Sequence, residues 1–204
     1  MFCVGLTGNI ASGKSTALEY FSEQGAYVIS ADRIARELAT QPLIITKIKT
    51  YFGASVVNDA GELLRPTIRN IIAQDAHKRL WLENLLHPLI QHKIGEQVSQ
   101  SQSHYTVIEI PLLLDKQTYP FINRILLVTA PIKQQIQRII ARDHCSITEA
   151  KAILKIQPTL NFRKKIADDI ICNDRGTCDF VKQLEILHKN YLQCSAMDKQ
   201  ERET

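Results

Sequence analysis

The sequence predicts an α/β protein in which helices flank a parallel sheet. Short apolar runs, beginning with 2–7 (FCVGLT) and 27–29 (YVI), alternate with segments whose apolar residues recur at helical spacing. The order strand, helix, strand at the start of the chain favours parallel pairing, because parallel strands need a crossover connection. A glycine-rich stretch, GNIASGKS at 8–15, separates the first strand from the first helix.

The remaining elements follow from the same patterns. A helix over 14–24 is stopped by Gly25, and Asp32 is a candidate cap for a helix containing IARELA. Pro131 is placed at the first position of a later helix. Further strands are predicted at 105–110, 123–129 and 170–172, and a last helix at 178–193.

The middle of the chain lacks strand patterns, so we expect one unit with two helical additions. The predicted boundaries are a core of 1–33, 104–131 and 166–194, a helical insertion over 34–103, a lid over 132–165 and a frayed tail over 195–204.

Composition narrows the class of partner. The chain has 204 residues and a net charge of +4, without any run of five basic residues, which favours a small anion over a nucleic acid. Five scattered cysteines indicate reduced thiols. The sequence shows neither a signal-peptide pattern nor the roughly 18–20 consecutive apolar residues of a membrane span. We expect a cytoplasmic protein, a monomer, that binds neither membrane nor nucleic acid.

The stretch at 8–15 matches G-x-x-x-x-G-K-[ST], the phosphate-binding loop of P-loop nucleotide-binding proteins, through Gly8, Gly13, Lys14 and Ser15. Its backbone N–H groups and the following helix N-terminus favour phosphate. Lys14 is predicted to reach the β- and γ-phosphates, and the Ser15 hydroxyl to hold Mg²⁺. The predicted ATP-binding residues here are Gly8, Asn9, Ile10, Ala11, Ser12, Gly13, Lys14, Ser15 and Thr16.

Beyond this loop, the chain resembles the dephospho-CoA kinase family. GLTGNIASGKST is similar to that family's GLTGGIGSGKST, and SADRIAR at 30–36 to its DAD-x-IAR segment. LLHPLI at 85–90 and IPLLLD at 110–115 resemble its LLHP and PLL-x-E segments, and ADDIICND at 167–174 its AD-x-VIDN segment. The resemblance implies a P-loop kinase that phosphorylates the ribose 3′-hydroxyl of dephospho-CoA with ATP and Mg²⁺.

The chain departs from the family pattern at three places. Asn9 and Ala11 replace glycines of the loop, Asp115 stands where glutamate is usual, and Cys172 with Arg175 alters the segment around Asn173. Asn173 is nevertheless assigned to ATP binding by the resemblance.

Two acidic residues stand at predicted strand ends. Asp32 is either a helix cap or a functional group that accepts the hydroxyl proton, organises the metal, or does both, and the family's matching aspartate is its proposed base. Glu109 ends YTVIEI, where it is either an acid facing the Mg²⁺ water shell or an ordinary strand-end charge.

Arg138 and Arg142 lie four residues apart on a helix whose predicted apolar face is Ile132, Ile136, Ile139 and Ile140. The pair suits polyphosphate, because each planar guanidinium binds two oxygens, although a solvated basic face is the alternative. The family's helices here form a lid over ATP, and further cations follow at Lys151, Lys155, Arg163, Lys164 and Lys165. We assign both arginines to catalysis.

The helical insertion supplies the predicted acceptor site. Arg65 and Arg69 resemble arginines of the family's substrate region, where they would hold the pyrophosphate of dephospho-CoA. His87 either binds substrate or is a buried structural histidine beside Pro88. Trp81, among leucines, is predicted to be core.

Three other functions share the phosphate loop. A different small-molecule kinase would keep all these residues. A regulatory GTPase would carry an N-K-x-D motif, which does not occur in the sequence. A nucleic-acid-dependent ATPase would need a continuous basic face or a second ATPase core.

Overall fold

The computed structural model of the chain describes residues 1–111, 113, 115–174 and 176–203. Arg175, Leu112 and Leu114 of the sequence analysis lie outside these residues, as does Thr204 of the predicted tail. The chain divides into two compact units, the first formed by Met1–Ser30 with Val98–Thr204 and the second by Ala31–Gln97.

The first unit contains a sheet of five parallel strands, which confirms the predicted pairing. The strands are β1 (Phe2–Thr7), β2 (Tyr27–Ser30), β3 (Tyr105–Glu109), β4 (Arg124–Thr129) and β5 (Asp169–Cys172). Their order is β2-β3-β1-β4-β5, so the first strand lies in the middle. In open parallel sheets, ligands bind at the carboxyl ends beside such a reversal of strand order. The residues that follow β1 therefore stand at the expected ligand site.

Nine helices are described. They are α1 (Lys14–Glu23), α2 (Ala31–Leu38), α3 (Pro42–Phe52), α4 (Arg65–Gln74), α5 (Ala76–Gln100), α6 (Ile132–Asp143), α7 (Ile147–Lys155), α8 (Leu160–Ile166) and α9 (Thr177–Glu203). Local sequence sets several of their ends. Gly25 turns the chain after α1 at φ +84°, a left-handed value suited to glycine. Ser146 and Glu149 form a reciprocal capping box at the start of α7.

One face of the sheet packs against α1 and α9 to form the main core. Alternate residues of β1, namely Phe2, Val4 and Leu6, contribute to it, as period-two strands require. Phe21 of α1 and Tyr191 of α9 pack with them. Thr7 is also buried, and the alternation directs its side chain to the opposite face of the sheet.

The second unit has its own smaller core. Ile44, Ile48 and Phe52 of α3 pack with Val56 and Ile68. Trp81 packs at the edge of this cluster, where its ring stacks on Tyr51 with centroids 4.1 Å apart. It is therefore partly buried and packs against the core, in agreement with the prediction.

Several predicted helix ends shift in the structure. Helix α2 starts at Ala31, directly after β2, so Asp32 lies in its first turn and is not the cap. Helix α5 continues to Gln100, near the predicted end of the helical insertion at 103. Pro131 is the N-cap of α6, one residue before the helix proper. On α6 the buried residues are Gln135 and Ile139, whereas Ile132 is exposed, so the predicted apolar face is only partly correct.

The prediction of a frayed tail over 195–204 is wrong for the described residues. Helix α9 runs to Glu203 because its last turns are anchored. Ser195 is buried and its hydroxyl donates to the carbonyl of His104. The N-terminal ammonium lies 3.8 Å from the Asp198 carboxylate. Polar residues therefore hold this segment to the sheet unit.

No helix in the described part of the chain combines the length and apolarity that crossing a membrane requires.

The connection from β1 to α1 has an unusual backbone at Ala11. Its φ of +58° lies in the left-handed region, where a Cβ is penalised. This residue is one of the two that replace glycines of the family pattern. The chain keeps the glycine conformation at position 11 although the side chain disfavours it.

We predict that Ala11→Gly stabilises the protein by about 1 kcal/mol, the left-handed penalty of alanine minus the backbone entropy cost of glycine. For a chain of this size the melting temperature should rise by about 2–4 °C. The matched control is Ala152→Gly on the exposed side of helix α7, which should cost about 0.5–1 kcal/mol. If Ala11→Gly lost as much stability as Ala152→Gly, the backbone at Ala11 would not be strained.

Candidate active site

The site is built on the loop 8–15 between β1 and α1. Gly8 and Gly13 adopt φ values of +154° and +110°. A Cβ on Gly8 would lie 2.2 Å from the carbonyl oxygen of Val128, and one on Gly13 would lie 2.4 Å from Nδ2 of Asn173. Close approach to the backbone of β4 therefore requires glycine at position 8, whereas glycine at position 13 is favoured mainly by its positive φ. Helix α1 begins at the next residue, Lys14, so its N-terminal N–H groups face the loop.

The side chain of Lys14 folds back onto the backbone of the loop. Its Nζ donates to the carbonyl oxygens of Gly8 at 2.9 Å and Asn9 at 3.0 Å. Ser15 and Thr16 follow in the first turn of α1, and both are exposed. The ammonium and the Ser15 hydroxyl thus lie at the two positions that the phosphate-loop motif assigns to phosphate and to metal.

Arg138 and Asn173 hold the other side of the loop. Nη1 of Arg138 donates to the Ala11 carbonyl at 3.1 Å, and its Nη2 donates to Oδ1 of Asn173 at 3.2 Å. Nδ2 of Asn173 in turn donates to the Ser12 carbonyl at 3.2 Å. The structure therefore brings the two predicted residues into direct contact with the loop, although they are distant in sequence.

Arg142, the second arginine of the predicted pair, is placed differently. Its guanidinium forms two hydrogen bonds with the neighbouring Asp143, at 2.7 and 2.8 Å, and its side chain is 57% exposed. A helical offset of four residues puts the two arginines on one face, but only Arg138 contacts the phosphate loop in this structure.

Two residues at the loop were missed in the sequence. Oε1 of Gln157 accepts the N–H of Ile10 at 2.9 Å. Arg163, named only as one of the cations of the predicted lid, is 1% exposed and donates to Thr7. Neither contact has a local sequence signal, since each joins residues almost 150 or more positions apart.

The loop also contains polar atoms without partners. Oδ1 of Asn9 and Oγ of Ser12 are buried and make no hydrogen bond to any residue that the structure describes. Buried polar groups are normally paired, so these two oxygens mark places where a ligand or water completes the site.

Glu109 lies at the carboxyl end of β3, beside the start of the loop. It stands opposite Leu6 of β1 and Ser30 of β2 in the sheet register. Its carboxylate accepts the hydroxyl of Ser30 at 3.0 Å. Asp32 follows Ser30 by two residues and is exposed in the first turn of α2.

In the second unit, the predicted acceptor-binding residues are all exposed. Arg65 begins α4 and donates to the carbonyl of Arg36 at 3.2 Å, and Arg69 lies one turn further along the helix. His87 lies inside α5 and is exposed, which excludes the alternative of a buried structural histidine. All three side chains are accessible to a ligand.

The departures from the family pattern have local explanations. Asp115 accepts the N–H of Thr118 at 2.7 Å and its hydroxyl at 2.9 Å, and these bonds hold the pKa of its carboxyl below the usual range. Cys172 ends β5, where its N–H donates to Gln183 at 3.1 Å. Both residues have structural partners close to them.

Comparison with known proteins identifies the family. The sequence matches the dephospho-CoA kinase family over residues 2–179. A dephospho-CoA kinase of Legionella pneumophila (strain Paris) is 49% identical over 193 residues, which are 94% of this chain and 96% of the relative. One from Coxiella burnetii is 43% identical over 196 residues, 95% of this chain and 98% of the relative.

A solved structure agrees with this result. The dephospho-CoA kinase from Campylobacter jejuni superposes with a TM-score of 0.69 at 29% identity, covering 94% of this chain and 97% of that one. This likeness and the five-stranded parallel sheet confirm the predicted P-loop fold class. The match over nearly the whole chain means that this protein belongs to the dephospho-CoA kinase family.

Proposed function

We propose that the protein transfers the γ-phosphoryl group of ATP to the ribose 3′-hydroxyl of dephospho-CoA, giving ADP and CoA. The acceptor oxygen forms a bond to the γ-phosphorus while the bond from that phosphorus to the β,γ-bridging oxygen breaks. The hydroxyl proton passes to a protein carboxylate or to water. Positioning and charge stabilisation contribute most to such a reaction, because its transition state is loose.

The observation that carries the proposal is the phosphate loop enclosed by Lys14, Arg138 and Asn173. In this structure Nζ of Lys14 and Nη1 of Arg138 donate to loop carbonyl oxygens. A phosphate oxygen is a stronger acceptor for either cation than a neutral carbonyl. ATP would therefore replace these contacts, with Lys14 on the β- and γ-phosphates, Arg138 on the phosphate chain and Asn173 holding the loop.

Mg²⁺ fits the residues present. Among the described residues, no cluster of three or more histidine, cysteine or acidic side chains could hold a metal. Mg²⁺ does not need one, since it keeps several waters and binds through substrate phosphates with one or two protein oxygens. Ser15, Asp32 and Glu109 would supply those oxygens, and the ion would neutralise charge on the phosphates.

Asp32 is the proposed acceptor of the hydroxyl proton. Its side chain is exposed. Only one residue separates Asp32 from Ser30, whose hydroxyl donates to the Glu109 carboxylate. The second unit would hold dephospho-CoA, with Arg65 and Arg69 on its pyrophosphate and His87 as a further contact. An accessible pair of arginines one helical turn apart suits adjacent phosphates.

The helical unit should make the enzyme selective for the whole acceptor molecule. Offered with Mg-ATP, dephospho-CoA should react faster by orders of magnitude than adenosine, AMP or shikimate, because remote binding groups orient the reacting hydroxyl. Phosphorus NMR of the product should place the new phosphate on the ribose 3′-oxygen. Lys14→Ala should lower the rate by about 10² to 10³ in a folded protein. Preference for AMP or shikimate would assign the chain to another kinase reaction.

Asp32→Asn should lower kcat by about 10² to 10⁴ while leaving ATP affinity nearly unchanged, since a base acts mainly in the transition state. Single-turnover kinetics and ATP titration separate the two effects. Asp59→Asn, an exposed acidic residue of a turn in the same unit, is the control and should leave both unchanged. Weaker ATP binding with normal single-turnover chemistry would exclude Asp32 as the base.

Replacing either arginine of α6 should slow phosphoryl transfer, but to different extents. Arg138→Ala should reduce transfer by about 10² and raise the ratio of ATP hydrolysis to transfer, because a loosened site admits water. Arg142→Ala should have the same sign but a smaller effect, about tenfold, since its guanidinium must first leave Asp143. The exposed Lys133→Ala on the same helix is the control. Unchanged rates in Arg142→Ala would make that arginine a solvated surface residue.

A further inference from the structure

Arg163 of helix α8 is a buried cation at the start of the phosphate loop. Its side chain is 1% exposed. Nη1 donates to the hydroxyl of Thr7 at 2.7 Å, and Nη2 donates to the carbonyl of Pro111 at 3.0 Å. The same carbonyl accepts the Thr7 hydroxyl at 3.3 Å, so the three residues form a closed triangle.

Among the residues that the structure describes, no acidic side chain pairs with this guanidinium. Within the described residues, Arg163 forms no ion pair, and its Nε is buried without a hydrogen-bond partner. Burial alone lowers the pKa of Arg163, but a guanidinium remains charged at neutral pH. A buried charge facing only a hydroxyl and a carbonyl is costly, and uncharged donors would satisfy those two acceptors equally.

The position of Arg163 indicates what the charge is for. Thr7 is the last residue of β1, and Gly8 of the phosphate loop follows it directly. Pro111 comes two residues after Glu109, which ends β3. The segment leading into α8 also carries Gln157, which accepts the N–H of Ile10 in the loop. Arg163 therefore joins the carboxyl ends of the two strands that flank the predicted triphosphate.

We propose that Arg163 is a positioning residue whose buried charge is balanced by the polyphosphate of the nucleotide. Its hydrogen bonds hold the end of β1 to the residues that follow β3. Its charge attracts the bound polyphosphate through space, without direct contact. The inference rests on the proposed binding of a triphosphate at 8–15. It goes further by assigning to α8 a cation that attracts the bound anion.

The test uses inorganic tripolyphosphate as the probe, with isothermal titration at low and high salt and melting curves with and without the probe. Arg163→Met removes the charge at similar volume, whereas Arg163→Lys keeps the charge and loses the fork. Lys199→Met, which removes an exposed charge from α9 in the same unit, is the control.

Arg163→Met should bind tripolyphosphate roughly tenfold more weakly, the effect expected for a unit charge within about 10 Å at partly buried sites. Its own melting temperature should change little, because a buried charge without a partner has been removed. Arg163→Lys should bind within about threefold of the unmodified protein but show lower kcat, since the strand ends are less firmly held. Lys199→Met should match the unmodified protein in both measurements.

Unchanged tripolyphosphate affinity in Arg163→Met would overturn the inference and leave a purely structural residue. If that variant does not fold, Arg163→Lys decides, and a tenfold loss of affinity there would equally overturn it. These results are separate from a failure of the proposed function, which would appear as tripolyphosphate binding by the unmodified protein without transfer to dephospho-CoA.

Discussion

The close approach of the phosphate loop to the ends of β4 and β5 is the constraint on which the site depends. Gly8 lies against the Val128 carbonyl at a separation that excludes a Cβ, and Gly13, whose positive φ disfavours any side chain, lies beside the Asn173 amide. Only because the backbone fits there can Asn173 reach the Ser12 carbonyl and Arg138 reach Ala11 and Asn173 together. One backbone path therefore fixes the geometry of at least four contacts from distant elements.

The hydrogen bonds described above for this loop are made to neutral acceptors. Nζ of Lys14, Nη1 of Arg138 and Nδ2 of Asn173 donate to loop carbonyl oxygens, Nη2 of Arg138 donates to Gln134 and Asn173, and Oε1 of Gln157 accepts the N–H of Ile10. Neutral acceptors such as those of Arg138 orient a guanidinium without neutralising its charge. The loop is thus held in shape by neutral acceptors. An acidic residue in their place would have competed with the ligand.

The sequence predicted what local chemistry determines. The glycines and the lysine specify the loop, and the short apolar run before them specifies a buried first strand. Asp32, Glu109, Lys14, Arg138 and Asn173 were named because motif or family resemblance fixes their positions. The sequence did not predict Gln157 or the burial of Arg163, because a glutamine and an arginine among lid cations look like ordinary surface residues. Their partners, Ile10 and Thr7, are brought near only by the tertiary fold.

Two wrong predictions have a similar cause. The tail after 194 is polar in composition, yet buried Ser195 and the Asp198 carboxylate hold α9 to the sheet unit. Asp32 precedes an apolar helical pattern, which suggests a cap, but β2 passes into α2 without a linker. In both cases a contact with another element, or the absence of a connecting loop, overrides a local preference.

The anchors also limit what can move in the segment predicted as a lid, 132–165. Arg138 attaches helix α6 to the loop, and Gln157 attaches the residues after α7 to it. Buried Arg163 attaches α8 to Thr7 at the end of β1. Between the first two anchors lie Arg142, the end of α6 and the whole of α7, whose Ile147 is exposed. Arg142 belongs to this middle part, so a closure of α7 and the end of α6 would carry Arg142 toward bound phosphate. In such a closure Arg163 would keep its partners, and the Arg138 side chain would exchange the loop carbonyl for a phosphate oxygen.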